Sequence, residues 1–286
     1  MLSNEARSVK QMDIDHYLDR IGLDRRPPPT LDGLKAVHAA HLLAVPYENL
    51  DVQLGRPVTI ERPAIYDKIV NRRRGGWCYE MNGILGWALG ELGFDVTRAT
   101  GAVMRELAGE AVVANHLVLR VALPEGVYLA DVGFGDGPLE PIPVRPGPFA
   151  PHGFTYSVEP VDANWWRLRN QPNGGAPSFD FNLAPADETR LAARCTELQT
   201  APDSHFVLNL FCFRHRRDSI LMLRGRVLRS ILPGGQYTDR LVESADDLVA
   251  TFKNDFGLDV PEAASLWPKI CTRHQEIRAA ETKTQG

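Results

Sequence analysis

Residues 72–80 read Arg72-Arg73-Arg74-Gly75-Gly76-Trp77-Cys78-Tyr79-Glu80. An apolar run with helical spacing follows them directly. The glycine pair ends the preceding helix and lets the chain turn tightly. The next helix then presents its positive end, with unpaired backbone N–H groups, to the Cys78 sulfur. This setting favours the nucleophilic thiolate over the thiol, so the stretch predicts a reactive cysteine and favours an enzyme over a binding module.

The composition is that of an ordinary globular protein. The chain has 286 residues, of which 44% are hydrophobic and 24% charged, and this length suffices for a large core. Its net charge of −4 provides no overall basic field, which argues against a nucleic-acid partner. The 4 cysteines are widely spaced and include no C-x-x-C pair. Free thiols in a reducing compartment are therefore favoured over a disulfide framework.

No segment suggests a membrane partner. Residues 1–10 are polar and lack the apolar stretch of a signal peptide, and the longest nearly apolar run, 83–90, is too short to cross a bilayer. We therefore expect a cytoplasmic protein. The oligomeric state is open, with a homo-oligomer as one alternative.

The hydrophobic period changes near residue 94. Four helical segments come first and end at Gly22, before Pro46, at Gly75-Gly76 and at Gly93. Strand-like segments follow at 96–104, 114–123 and 127–132, before a Gly/Pro-rich loop, 133–153, of the kind found at active sites. In the last third, 206–213 reads as a strand and 245–256 as a helix.

This order predicts an α+β multidomain protein. The first unit, residues 1–93, is a helical bundle that carries the cysteine. The second, 94–200, is antiparallel β structure, and the third, 201–286, is a mixed α/β unit.

A thiol nucleophile needs a base within reach and a third group that orients the base. His116 stands near the start of one predicted strand, and Asp131, 15 residues later, near the end of the next. A hairpin brings these two positions side by side, so a Cys78-His116-Asp131 set is available.

Each member also has a purely structural interpretation. Cys78 could be a small buried core residue, and His116 a structural strand histidine. Asp131 could cap the turn at Gly133 through its side chain. The pairs His38/His41 and Cys212/His215 have metal-like spacing but no second pair, so no metal site is predicted.

Four segments, in order, resemble the motifs of the arylamine N-acetyltransferases. They are Val45-Pro46-Tyr47-Glu48-Asn49-Leu50, Arg74-Gly75-Gly76-Trp77-Cys78-Tyr79-Glu80, Asn115-His116-Leu117 and Leu129-Ala130-Asp131-Val132-Gly133-Phe134-Gly135. Residues 202–206 also resemble the segment that opens the family's third domain. The resemblance runs from Ile14 to the mid-220s, and the remaining residues match only in general character.

The resemblance implies a helical bundle, a central antiparallel β-barrel and a C-terminal α/β lid around a cysteine-protease-like core. It implies Cys78 as acyl acceptor, His116 as its base and Asp131 as the orienting carboxylate. It also implies a structural ion pair between Arg74 and Glu48.

The same resemblance places substrate and coenzyme in a cleft lined by Phe134, Gly133 and Gly135. Tyr47, where the family usually has phenylalanine, joins them as an expected binding residue.

The implied reaction is ping-pong acetyl transfer from the co-substrate acetyl-CoA, without a metal, in xenobiotic metabolism. The acceptors are small molecules: arylamines, arylhydrazines or N-hydroxyarylamines. Two alternatives stay open. One is a thiol hydrolase or transglutaminase-like enzyme that uses the same three residues, and the other is a catalytically inactive module that binds a small molecule or CoA.

Overall fold

The computed structural model describes residues 12–285, so the expectation for residues 1–10 lies outside the described part of the chain. Its α-helices are α1 (Ile14–Ile21), α2 (Leu31–Ala44), α3 (Leu50–Gln53), α4 (Arg62–Tyr66), α5 (Cys78–Glu91), α6 (Arg105–Ala108), α7 (Glu188–Thr200), α8 (His205–Leu208), α9 (Ala245–Thr251) and α10 (Trp267–Gln285). Its strands are β1 (Tyr47–Glu48), β2 (Asp95–Val103), β3 (His116–Leu123), β4 (Gly126–Ala130), β5 (Ile142–Pro143), β6 (Gly147–Phe149), β7 (Tyr156–Pro160), β8 (Trp165–Arg169), β9 (Ser178–Pro185), β10 (Phe211–His215), β11 (Ile220–Arg224), β12 (Val227–Ile231) and β13 (Tyr237–Leu241).

The first two helices begin and end at the predicted signals. The Thr30 hydroxyl accepts a hydrogen bond from the Gly33 N–H at the start of α2. Gly22 ends α1 in the left-handed conformation, with a φ of 79°. The third helix is shorter than expected, because α4 continues only as a π-helical turn, Asp67–Asn71, and stops before the arginine run.

Helix α5 is the central element of the helical unit. Its side chains at Ile84, Leu85, Ala88 and Leu89 are fully buried, and α1, α2 and α4 pack around it. This burial fixes the direction in which the N-terminal end of α5 points.

An eight-stranded antiparallel sheet follows, in the order β5-β4-β3-β2-β9-β8-β7-β6. The antiparallel character expected for the central unit is confirmed. The edge strands β5 and β6 are not hydrogen-bonded to each other, so the sheet is a curled half-barrel where the resemblance implies a β-barrel. The β3–β4 hairpin pairs Leu119 with Ala130, which brings the start of β3 beside the residue that follows β4.

A second antiparallel sheet has the order β1-β10-β11-β12-β13. Its edge strand β1 comes from the N-terminal part of the chain and pairs Tyr47 with Phe213 of β10. A segment of the helical unit is thereby built into the sheet of the last third.

The last third departs from the sequence prediction at two places. The predicted strand 206–213 begins as helix α8, because the Ser204 hydroxyl accepts a hydrogen bond from the Phe206 N–H and starts a helical turn. The long helix α10 was not predicted, since most of its side chains beyond Ile270 are polar and exposed and form no apolar stripe. Between residues 12 and 285, no helix has the length and apolar character needed to cross a membrane.

Buried neutral histidines predict a loss of stability in acid. Burial lowers the pKa of His215 to about 4, and its Nε2–H donates to the Gly137 carbonyl oxygen at 2.8 Å. The unfolded chain therefore takes up a proton near pH 6.5, and the folded chain does not until about pH 4. We expect the free energy of unfolding to fall as the pH drops from 6.5 to 4, with His215 contributing about 3 kcal/mol. Urea titrations of His215→Gln should show a flatter pH dependence.

The matched control is His16→Gln, at an exposed position on α1. It should keep the slope of the wild-type protein. If the free energy of unfolding changed with pH equally in the wild-type and His215→Gln proteins, the lowered pKa of His215 would be contradicted.

Candidate active site

Cys78 is the first residue of α5, and its side chain is buried. The two glycines before it are required for close packing and not for a special backbone angle. A Cβ on Gly75 would overlap the Pro46 carbonyl oxygen, and one on Gly76 would lie 2.8 Å from the Glu80 Cβ. The left-handed residue in the turn is Arg73, with a φ of 52°, so the expectation that the glycine pair makes the turn is corrected.

Backbone pairing holds the glycine segment in place. The Glu48 N–H donates to the Gly76 carbonyl oxygen at 2.9 Å, and the Gly76 N–H donates to the Pro46 carbonyl oxygen at 3.3 Å. Only residues without a side chain allow this approach, so the segment before the cysteine is locked against β1.

A buried ion network surrounds the same segment. The Arg74 Nη2 lies 2.9 Å from the Glu48 Oε1, which confirms the expected ion pair. The Lys68 Nζ lies 2.9 Å from the Glu80 Oε1 and 2.8 Å from the Asp51 Oδ2. Glu80 also accepts a hydrogen bond from the Trp77 N–H, so the network reaches the first turn of α5.

His116 and Asp131 form a buried hydrogen-bonded pair. The His116 Nε2 lies 2.8 Å from the Asp131 Oδ2, while the Asp131 Oδ1 accepts from the Asn82 Nδ2 at 2.7 Å and from the Gly133 N–H at 2.8 Å. Burial raises the pKa of Asp131, but His116 and these donors outweigh it and hold the pKa below its usual value. Asp131 is therefore an anion that orients the imidazole and leaves Nδ1 as its free nitrogen.

The surroundings of the Cys78 sulfur act on its pKa in the direction opposite to the sequence expectation. Burial raises the pKa of the thiol, although hydrogen bonds from the backbone of Leu117 and Tyr79 act in the opposite direction. The Sγ lies 3.8 Å from the Asn115 carbonyl oxygen, which can only accept a hydrogen bond. Burial and this acceptor therefore favour the thiol over the thiolate at rest, in the direction opposite to the sequence expectation for the helix end.

Cys78 and His116 line the same cavity, which has a volume of about 480 Å³ and is called here the cysteine cavity. Tyr47, Gly133 and Phe134 line it as well. Gly135 does not, because it packs behind the wall, where a Cβ would lie 2.5 Å from the Phe213 Cδ2.

Several side chains in this region were not predicted from the sequence. Asn82 is one, although it stands four residues after Cys78 and so shares its face of α5. The aromatic wall formed by Phe206, Phe211 and Phe213 is another, and it comes from α8 and β10. No local pattern marks the aromatic positions, because the approach of Phe211 and Phe213 to Cys78 depends on the pairing of β1 with β10.

The residues with metal-like spacing have protein partners. The His38 Nε2 accepts from the Asp131 N–H at 3.2 Å, and the His41 Nδ1 lies 2.8 Å from the Tyr17 hydroxyl. Within residues 12–285, no three His, Cys, Asp or Glu side chains are arranged as ligands of a metal ion.

The sequence is similar to known acetyltransferases over most of its length. A family model described as N-acetyltransferase matches residues 30–265. Arylamine N-acetyltransferase of Mycolicibacterium smegmatis is 38% identical over 269 residues, which cover 88% of this chain and 94% of that protein. Arylamine N-acetyltransferase 1 of Homo sapiens is 29% identical over 291 residues, which cover 92% and 98% respectively.

Solved structures agree with this similarity. The arylamine N-acetyltransferase of M. smegmatis has a TM-score of 0.82 at 37% identity, covering 91% of this chain and 98% of that one. The Mycobacterium marinum arylamine N-acetyltransferase in complex with CoA also has a TM-score of 0.82, at 33% identity, covering 90% and 98%. The fold described above is therefore shared along nearly the full length of these proteins.

The close contact between Gly133 and the start of α5 predicts a strong effect of a single added methyl group. A Cβ on Gly133 would lie 2.7 Å from both the Cys78 Cα and the Asn82 Nδ2. We expect Gly133→Ala to lower the free energy of unfolding by about 1–3 kcal/mol, because the backbone of α5 has no room to yield. Urea denaturation measures this loss.

Gly90→Ala, in the same helix, is the matched control. A Cβ there meets nothing within 4 Å, so alanine should stabilise the protein by about 0.5–1 kcal/mol. If Gly133→Ala were as stable as wild type, the contact would be refuted.

Proposed function

The chain belongs to the arylamine N-acetyltransferase family, and we propose that it transfers an acetyl group from acetyl-CoA to aromatic amines through an acetyl-Cys78 intermediate. One observation carries the proposal: Cys78 and His116 face one cavity while His116 is hydrogen-bonded to the Asp131 carboxylate. Acetyl-CoA is the co-substrate. Arylamines, arylhydrazines and N-hydroxyarylamines are the proposed acceptors.

In the first half-reaction the Cys78 thiol gives its proton to the His116 Nδ1 as the sulfur attacks the thioester carbonyl. The bond between carbonyl carbon and CoA sulfur breaks, and the departing CoA thiolate takes the proton from His116. One thioester replaces another in this step, so the free energies of its reactants and products are nearly equal. Asp131 stabilises the imidazolium that exists between the two proton transfers.

The negative charge that develops on the thioester carbonyl oxygen during the attack needs hydrogen-bond donors that stabilise it. The N–H of Cys78 is the candidate, because the first backbone N–H groups of a helix have no partner within the helix. The positive end of α5 supports this role, and here it acts on the transition state and not on the resting thiol.

In the second half-reaction an amine attacks the acetyl carbon, and the bond between that carbon and the Cys78 sulfur breaks. His116 takes the amine proton and returns it to the departing sulfur. Aromatic amines are weak bases, so they are largely unprotonated near neutral pH and can attack directly. The aromatic wall of Phe206, Phe211 and Phe213 supports aromatic acceptors, since it offers ring faces and edges for stacking.

Three further expectations belong to this proposal. They are a division into units at 93/94 and 200/201, a cysteine-protease-like arrangement of the catalytic core, and a cytoplasmic role in xenobiotic metabolism.

Incubation with acetyl-CoA alone should add one acetyl group to Cys78. Intact-mass spectrometry followed by peptide mapping measures the adduct, which forms because no acceptor is present to discharge it. Cys271→Ala, at a half-buried cysteine on α10, should acetylate like wild type, and Cys78→Ala should not. Release of CoA without a stable adduct would instead favour the thiol hydrolase, and transfer by Cys78→Ala would refute the scheme.

Replacing the orienting carboxylate should reduce turnover without unfolding the protein. Asp131→Asn keeps the size and shape of the side chain but removes the negative charge that holds His116 in the required tautomer. We expect kcat/KM to fall by about 10³-fold at pH 7. Steady-state kinetics on protein with wild-type circular dichroism tests this, and unchanged kcat/KM would remove Asp131 from the mechanism.

A further inference from the structure

The segment between β4 and β5 carries several residues of the site. Residues 131–139 follow β4 and include Asp131 and the cavity residues Gly133 and Phe134. They form neither helix nor strand, and all of them are buried. Buried backbone outside regular structure needs hydrogen-bond partners from elsewhere in the chain. We call residues 131–139 the aspartate segment.

Side chains from two other elements hold the interior of the aspartate segment. The Val132 N–H donates to the Asn82 Oδ1 on α5 at 2.9 Å. The Gly137 carbonyl oxygen accepts from the His215 Nε2–H on β10 at 2.8 Å. The segment is therefore held between the helical unit and the second sheet.

His38, a buried residue of α2, joins the two ends of the aspartate segment. Its Nε2 accepts a hydrogen bond from the Asp131 N–H, and its Nδ1–H donates to the Leu139 carbonyl oxygen, both at 3.2 Å. The sequence marks this histidine only by its metal-like spacing from His41. One imidazole thus fixes the first residue of the segment relative to the last.

These two contacts determine the protonation state of His38. A carbonyl oxygen can only accept a hydrogen bond and a backbone N–H can only donate one, so the ring proton is on Nδ1 and Nε2 keeps its lone pair. The imidazole is therefore neutral. Burial lowers the pKa of His38, which favours the same neutral form, although the contacts with Leu139 and Asp131 act in the opposite direction.

His38 touches the catalytic triad from the backbone side of Asp131. The Asp131 Oδ2 lies 2.8 Å from the His116 Nε2, and the position of this oxygen follows from the position of the backbone that His38 holds. We propose that His38 is a positioning residue that holds Asp131 against His116. The inference rests on the proposed function, because it assigns one more residue to the same site.

Loss of the Nε2 contact would leave the buried Asp131 N–H without an acceptor, which is costly, so the backbone would shift toward another partner. A displacement of about 1 Å at a catalytic group can reduce a rate by about 10²-fold. The aromatic wall comes from α8 and β10 and does not depend on His38. We therefore expect a loss of His38 to slow the steps that use His116 more than it weakens substrate binding.

The first test needs neither a variant enzyme nor turnover. Long-range proton–nitrogen NMR on wild-type protein with isotopically labelled histidine distinguishes the two neutral tautomers from each other and from the cation. We expect His38 to be neutral near neutral pH, with its proton on Nδ1. A proton on Nε2 would overturn the proposal, because that nitrogen could not then accept from the Asp131 N–H.

Two amide variants separate the contacts of His38. An asparagine amide reaches the position of Nδ1 and a glutamine amide that of Nε2, so His38→Asn keeps the Leu139 contact and His38→Gln keeps the Asp131 contact. We expect His38→Asn to lower the rate at which iodoacetamide alkylates Cys78 at least about tenfold, because a displaced Asp131 no longer orients the imidazole that takes the thiol proton. His38→Gln should keep the wild-type rate. Peptide mapping measures this rate, with the half-buried Cys271 as the internal reference.

His41→Asn is the matched control, because His41 is a fully buried histidine on the same helix whose Nδ1 lies 2.8 Å from the Tyr17 hydroxyl. It should alkylate at the wild-type rate even where urea denaturation shows a loss of stability. An unchanged Cys78 rate in His38→Asn would overturn the proposal, and so would equal decreases in His38→Asn and His38→Gln. If His38→Asn lacks the wild-type circular dichroism spectrum, the tautomer of wild-type His38 and the rate of His38→Gln decide the question.

Single-turnover acetylation connects His38 to catalysis. At saturating acetyl-CoA, His38→Asn should acetylate Cys78 at least about tenfold more slowly than wild type. A higher half-saturating concentration with an unchanged rate would contradict the positioning role. If the wild-type protein formed no acetyl-Cys78, the proposed function would fail, and the tautomer and the alkylation rates would still decide whether His38 positions Asp131.

Discussion

The Asp131 carboxylate is the point at which three parts of the chain meet. It accepts hydrogen bonds from His116 on β3, from Asn82 on α5 and from the Gly133 N–H after β4. A buried carboxylate is costly unless its oxygens are satisfied, and these three donors satisfy it. The helical unit and the half-barrel are therefore joined at one anion, and the Cys78 end of α5 is aligned with the imidazole by the same contacts.

The segment before Cys78 depends on a different constraint, which is close backbone approach. Gly75 and Gly76 lie so near Pro46 and Glu80 that no side chain fits, and the Arg74–Glu48 ion pair closes the same space. This packing also places β1 beside β10, which carries Phe211 and Phe213 to the cavity. A single turn thereby positions both Cys78 and the aromatic wall.

Burial acts in the same direction on the pKa values of Cys78 and Asp131, and the hydrogen-bond donors around Asp131 make the difference between them. It raises the pKa of the Cys78 thiol, while the donors around Asp131 hold that carboxyl's pKa low. The negative charge therefore resides on the Asp131 carboxylate, and in the proposed mechanism the Cys78 sulfur becomes charged only as it attacks.

The sequence by itself determined the order of elements, the caps of α1 and α2, the hairpin carrying His116 and Asp131, and the position of Cys78 at a helix start. These follow from local signals, because caps, glycines and hydrophobic period act over a few residues. Only the tertiary structure decided that the sheet is a half-barrel, that Phe211 and Phe213 reach the site, that the glycines serve close approach, and that burial favours the thiol at Cys78. Each of these depends on contacts between residues far apart in the chain or on burial, and no local pattern encodes either.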